Sequence, residues 1–301
     1  MGRVPVIRAF HASDLAGALA ANDAVGWTGR RVLFEHYAAR ADCGLFVAEL
    51  DGEIVGTAGA TIFPGAPPTG WVHGIVVRPG QQRAGVGRRL TEAAITWLRA
   101  RSAGAVLLLA TDAGRPVYER IGFVAGGRYG SFAWPAGSPT QGAPRAIASN
   151  AGAPDAVSPD SVSPDDGGVI HAMRAAHLTA ACALDHAATG EDRRGFIEPF
   201  VSTGWVAARG NDVVGFHVAC PWGGGPTIAR DAAAGMALLR QAVAVRRAPR
   251  ALGLPEGNKS AVQHLNNLGV TAERYVTRMW LGAPPSWRAD MIFGVFNFGV
   301  A

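Results

Sequence analysis

Along residues 1–134, short stretches in which apolar and polar side chains alternate give way to stretches in which apolar residues recur every three or four positions. The first period marks strands and the second marks helices. The pattern predicts strands near 5–10, 44–50, 53–62, 70–77, 105–110 and 123–134, with helices near 13–22, 30–40, 86–101 and 114–121. Leu90, Ala93, Ala94, Trp97 and Leu98 form the core-facing stripe of the third helix. Both periods then stop. Residues 135–168 (PAGSPTQGAPRAIASNAGAPDAVSPDSVSPDDGG) hold almost no large apolar side chains. Such a segment cannot bury enough surface to offset its ordering entropy and reads as a flexible linker. Patterned sequence resumes at Val169.

The pattern that resumes repeats the first one. Val6-Ile-Arg-Ala-Phe10 and the following HASDLAGALA align with Val169-Ile-His-Ala-Met173 and RAAHLTAACA. FVAELDGEIVGTAGA (46–60) aligns with WVAARGNDVVGFHVA (205–219), each a strand, a tight turn and a second strand. VYERIGF (117–123) aligns with HLNNLGV (264–270), a helix ending through glycine into a strand. Three matches in one order argue for a duplicated module. The expected fold is α/β of the mixed α+β kind, two mixed-sheet modules flanked by helices. The domains are 1–134, a linker at 135–168, and 169–301.

Composition narrows the function classes. Of 301 residues 49% are hydrophobic and 17% charged, enough apolar material for a sizeable core. The formal charge of +5 is nearly all arginine, Lys259 being the only lysine. No arginine-rich run or aromatic platform supports a nucleic-acid partner. Three widely spaced cysteines (43, 182, 220) and scattered histidines fit neither a disulfide framework nor a metal site. The longest strongly apolar run, Ala105–Ala110, is far short of a membrane span. The N-terminal MGRVPVIRAF lacks a signal-peptide core, so cytoplasmic residence is expected.

Candidate chemistry concentrates in Trp71–Gly87, WVHGIVVRPGQQRAGVG. An apolar strand runs through Arg78-Pro79 into a loop carrying Gln82-x-x-Gly85-x-Gly87, then opens a helix. Glycines let backbone approach a ligand, and the free N–H groups and dipole of a helix start suit a phosphate or pyrophosphate. Arg83, Arg88 and Arg89 add charge around that turn. A Walker loop would need Gly-Lys-Ser/Thr, which is lacking. A Rossmann fingerprint would need three glycines after the first strand of its unit, and here the strand is the fourth. Taken alone, the glycines also fit a turn with no ligand.

The loop resembles the acetyl-CoA-binding motif of the GNAT superfamily of N-acyltransferases, Gln/Arg-x-x-Gly-x-Gly/Ala after a strand. A second GNAT-like signature follows in Thr111-Asp-Ala-Gly114-Arg-Pro-Val-Tyr118-Glu-Arg-Ile-Gly122-Phe123. The likeness spans roughly 4–134 and extends weakly over 169–282. It implies a tandem GNAT fold with an active first module and a degenerate second. It also implies an enzyme that transfers acetyl from acetyl-CoA, used as a co-substrate with no metal, to a primary amine on a small molecule. In that picture backbone of Ile75, Val76 and Val77 holds the pantetheine arm and thioester carbonyl. Amides across Gln82, Arg83, Ala84, Gly85, Val86, Gly87 and Arg88 hold the pyrophosphate. Thr111 contacts the pantetheine or only caps the helix. Tyr118 protonates the departing thiolate, the alternative being a core aromatic.

The general base stays open, with water as one route for the amine's proton. The fourth strand, WVHGIVV, has no carboxylate; His73 alternates with Ile75 and Val77 and is expected to share their face, as a base or as a buried structural histidine. In some multi-module relatives a C-terminal carboxylate enters the site, which makes Ala301 a second candidate beside a packed tail. The second module replaces the loop by Pro226-Thr-Ile-Ala-Arg230-Asp231, with Asp231 as a helix N-cap, and has Leu265 where the first has Tyr118. The polar stretch Asp185–Arg194 would line the acceptor site or form a solvated loop. A non-catalytic acyl-CoA-binding or sensing protein is the rival reading. A monomer and a homodimer are both open, as are the acceptor and any preference for acetyl over longer acyl groups.

Overall fold

The computed structural model describes residues 4–133, 167–244 and 251–300. The chain divides into two compact units. The first is Met1–Gly127 with Val276–Pro285 and Phe298–Val300; the second is built from Arg128–Tyr275 with Ser286–Asn297.

The first unit runs β1 (Val6–Ala9), α1 (Leu15–Asp23), α2 (Arg31–Ala38), β2 (Cys43–Leu50), β3 (Glu53–Phe63), β4 (Thr69–Val77), α3 (Val86–Arg99), β5 (Ala105–Ala110), α4 (Arg115–Ile121) and the start of β6 (Val124–Ala133). Its strands lie in the order β1-β2-β3-β4-β5, followed by residues 277–282 beside β5. All neighbours are antiparallel except β4 and β5, which run parallel. One face of the sheet is sealed by α3, whose Val86, Leu90, Ala94, Ile95 and Leu98 are buried against strand residues Ala48, Val55, Ala58, Ala60, Val72, Val106 and Leu108. The other face carries α1 and α2, where Asn22 and Tyr37 are buried.

The second unit runs β7 (Val169–Ala172), α5 (Leu178–Thr189), α6 (Arg194–Ile197), β8 (Gly204–Arg209), β9 (Asp212–Val218), β10 (Thr227–Ala229), α7 (Ala232–Ala244), β11 (Ala251–Pro255), α8 (Lys259–Asn267), the start of β12 (Ala272–Gly282) and β13 (Ile292–Gly294). Its sheet has the order β13-β10-β9-β8-β7. The core gathers Ala234, Leu238 and Leu239 of α7 against Val214, Ala229 and Phe293.

The duplication is visible in strand register. Val6–Ala9 pair with Glu49–Phe46, and Val169–Ala172 pair with Ala208–Trp205, the same partners under the sequence alignment. The hairpin that follows slips at the same place in both copies, between Ala48 and Glu49 and between Ala207 and Ala208. The copies part at their last strands. Tyr129–Ala133 of β6 pair antiparallel with Pro255–Ala251 of β11 in the second unit. Thr277–Gly282 of β12 pair antiparallel with Ala110–Ala105 of β5 in the first. Each unit is therefore completed by a strand from the other half of the sequence. Alternation marks the two faces of a strand but carries no information on which neighbour lies along its edge.

Candidate active site

Strands β4 and β5 pair only at Thr69–Ala105, Gly70–Val106 and Trp71–Leu107. Past Trp71 the two strands are no longer partnered, so the β5-side edge of residues 72–77 borders a gap. A bulge in β4 lies beside it. Thr57 of β3 faces Val76 and Gly59 faces His73, so two steps along β3 correspond to three along β4. Gly74 takes up the extra residue at φ 61°, a left-handed conformation that glycine adopts at no steric cost. Ile75 and Val77 are half-buried.

The chain leaves β4 through a turn at Pro79–Gln81 and enters α3 at Val86. Gln82, Arg83, Ala84 and Gly85 are exposed. The Gln82 side chain donates to the Val77 carbonyl at 3.0 Å, tying the loop to the strand end. Arg83 at φ 63° and Gly85 at φ 75° turn the backbone so that α3 starts beside that end. Position 87 faces Ile75 and Val77, whose methyl carbons stand 3.9 and 3.6 Å from where a Cβ would sit. The first turn of a fourteen-residue helix, with its unpaired N–H groups, thus opens next to the β4 edge. These are the features a pyrophosphate and a pantetheine arm require. The arginines are more engaged than their spacing suggests: Arg88 pairs with Glu92 at 2.7 Å, and Arg89 donates to the Pro5 carbonyl at 2.6 Å.

Across the gap, Thr111 and α4 follow β5. Thr111 Oγ1 accepts the Gly114 N–H at 3.3 Å, so its hydroxyl serves the turn that starts α4. Tyr118 is 8% exposed and packs with Ala110 and Ile75 in one apolar cluster. Its ring meets Phe123 edge-on at 6.0 Å. Burial pushes its phenol up to about 12, so it stays protonated, and able to donate, throughout the physiological range.

His73 does not share the face of Ile75 and Val77. The bulge shifts alternation by one residue and puts His73 with Val76 and Trp71, on the side of α1 and α2. There the imidazole stacks on Tyr37 with ring centres 4.4 Å apart, and its Nε2 lies 3.0 Å from Thr61 Oγ1. The ring lies so flat over Gly59 that any Cβ at position 59 would overlap it. Burial, with the Arg30 guanidinium contributing, lowers the imidazole to about 3. A group this strongly held in its neutral form is a poor proton acceptor at neutral pH. Ala301 lies outside the described residues.

A model of the GNAT acetyltransferase family matches residues 20–123, and a GNAT acetyltransferase domain model matches residues 181–294. The chain belongs to the GNAT family. Over 83 residues it is 39% identical to a mycothiol acetyltransferase of Thermomonospora curvata, a match spanning 27% of this chain and 27% of that protein. Among solved structures, a candidate acetyltransferase from Pyrococcus horikoshii superposes with a TM-score of 0.77 at 19% identity, covering all of this chain and 97% of that one. The GCN5-related glucosamine N-acetyltransferase region of a fungal multi-domain GH3 β-N-acetylglucosaminidase superposes with a TM-score of 0.66 at 12% identity, over 93% of this chain and 38% of that one. At these identities the superpositions describe the GNAT fold.

Among its described residues the second GNAT unit does not repeat the loop and the strand gap of the first. Only Arg230 and Asp231 separate β10 from α7, leaving no loop to surround an anion. Asp231 accepts the Ala234 N–H at 3.1 Å and pairs with Arg209 at 2.7 Å, so a carboxylate already occupies that helix start. Beside β10 runs β13, antiparallel, in place of a diverging parallel strand. Leu265, at the position of Tyr118, is fully buried. The polar stretch at 185–194 is only partly solvated: His186, Asp192 and Arg194 are exposed, but other polar groups are buried. Asp185 and Arg193 form a two-point ion pair at 2.6 and 2.9 Å with side chains 1% exposed, and Glu191 is buried beside them. Among the described residues no cluster of His, Cys, Asp or Glu could hold a metal ion, and no helix is long and apolar enough to cross a membrane.

Proposed function

We propose that the chain is an acetyl-CoA-dependent N-acetyltransferase acting on a primary amine of a small molecule, with its site in the first GNAT unit. The observation that carries this reading is the gap between β4 and β5, flanked by the loop 82–85 and the α3 N-terminus on one side and by Tyr118 on the other. Among the described residues only the first unit has this set. The likeness to a protein named as a mycothiol acetyltransferase supports a small acceptor.

In this reading backbone of Ile75–Val77 holds the pantetheine arm and thioester carbonyl, while amides from Gln82 to Arg88 hold the pyrophosphate. The neutral amine attacks the carbonyl carbon; the N–C bond forms and the C–S bond breaks. Tyr118 gives its proton to the thiolate, and the amine's proton leaves through water, since His73 is a weak acceptor. Thr111 starts α4 by accepting the Gly114 N–H, and its hydroxyl proton is left to contact the pantetheine. The protein would act without a metal, as a cytoplasmic monomer or homodimer.

The test is a thiol-release screen of acetyl-CoA against an amine library, run on wild type and on Tyr118→Phe. The expected result is turnover with at least one amine, reduced about 100-fold or more in the variant, with CoA affinity unchanged. An undiminished rate would remove Tyr118 from the acid role. Tight CoA binding without thiol release from any amine would favour the binding or sensing alternative.

A further inference from the structure

The bulge that shapes the β4 edge is held from the opposite face of the sheet. Asn22, 2% exposed near the end of α1, donates from Nδ2 to Thr57 Oγ1 at 3.2 Å and to the Ala18 carbonyl at 2.9 Å. Thr57, 1% exposed on β3, donates its single hydroxyl proton to the Gly74 carbonyl at 3.0 Å. The chain of bonds therefore runs one way, from amide to hydroxyl to carbonyl, and buried bonds in series polarise and strengthen one another. Gly74 is the residue that absorbs the bulge. Carbonyl and N–H of a trans peptide point in opposite directions. Anchoring the Gly74 oxygen to Thr57 turns the Ile75 N–H away from β3, towards the edge that β5 has left.

The second unit serves as an internal comparison. Continuing the alignment of Val6 with Val169 puts Asp185 at the position of Asn22, and the hairpin alignment puts Phe216 at the position of Thr57. Asp185 is committed to Arg193, and Phe216 has no hydroxyl. Strands β9 and β10 there pair without a slip, residue for residue, from His217–Thr227 to Gly215–Ala229. Relay, bulge and gap occur together in one unit and are missing together from the described residues of the other.

We propose that Asn22 and Thr57 are positioning residues that aim the Ile75 amide into the gap, where it donates a hydrogen bond to the acyl-CoA. The inference rests on the acetyltransferase reading for its chemistry, though the relay itself can be read without turnover. Thr57→Val keeps the side chain's shape and removes the donor, Thr57→Ser keeps the hydroxyl, and Asn22→Leu removes the first link. With acetyl-CoA and a responsive amine, Thr57→Val should lower kcat about tenfold or more, as small displacements of catalytic groups do. KM for acetyl-CoA should stay within about threefold, Thr57→Ser should stay near wild type, and Asn22→Leu should fall between them. In amide ¹H–¹⁵N spectra, Thr57→Val should move the Gly74 and Ile75 signals and Thr57→Ser should leave them in place. A Thr57→Val enzyme with undiminished kcat, or a Thr57→Ser enzyme as impaired as it, would overturn the proposal. Should wild type release no thiol with any amine, the acetyltransferase reading fails and the spectra decide the relay: an unmoved Ile75 signal in Thr57→Val refutes it, and a shift reversed in Thr57→Ser supports it.

Discussion

Replacing His73 by glutamine tests the electrostatics of the α1/α2 face. The native imidazole is held at about 3, against 6.5 in the unfolded chain, by burial and by the Arg30 guanidinium. A gap of roughly 3.5 pH units corresponds to about 5 kcal/mol, at about 1.4 kcal/mol per unit. Because the folded value is the lower one, the unfolded chain takes up a proton that the native protein refuses. Stability is therefore complete above about pH 6.5 and is lost progressively as pH falls towards 3. Between pH 7 and pH 4.5 the loss attributable to His73 is about 2.5 kcal/mol. Urea unfolding of wild type and His73→Gln at both pH values isolates it. The other titrating groups are common to both proteins, and the pH-independent cost of the substitution cancels in the difference. Wild type should lose about 2.5 kcal/mol more than the variant over that interval. Equal losses would show that the imidazole titrates normally and would restore it as a candidate base. In that event kcat/KM of wild type would also show an inflection near pH 6.5 that the variant lacks.

Two further substitutions probe the framework. Asp185→Asn strips the charge from the partner of a fully buried guanidinium and should destabilise the protein by about 3–5 kcal/mol in chemical denaturation. Gly85→Ala forces a side chain into φ 75° at the start of α3 and should cost about 1–2 kcal/mol. It should also weaken CoA binding in calorimetry, because the adjoining N–H groups turn with the backbone.

Much of the first unit could be read directly from the chain. Strands and helices fall within a few residues of the positions that periodicity predicts, because their apolar faces lie against a single sheet. The loop at 82–87 was legible because glycine at φ 75° and a free helix start demand particular residues at particular spacings. The facing of His73 was not. Strict alternation puts it with Ile75, and one bulge reverses the assignment; glycine inside WVHGIVV was the available signal, since a glycine within a strand often marks a bulge. The relay through Asn22 and Thr57 left no trace in the pattern, as two polar residues 35 positions apart meet only through tertiary packing. The Asp185–Arg193 pair was misread for a related reason. A cluster of charges reads as solvent-exposed unless its partners are known, and these two cancel each other in the interior.

The reciprocal placement of β6 and β12 bears on how the protein is made. Strand β5 emerges from the ribosome well before the strand that lies against it, Thr277–Gly282. At about 5–20 residues per second the wait is on the order of ten seconds. Throughout it the nascent first half presents a strand edge with unmet hydrogen bonds, the kind of surface that recruits other strands. Pairings so distant along the chain also close slowly. The first unit can therefore reach its final form only after the chain has been made as far as Gly282, so the exposed edge of β5 needs shielding until then.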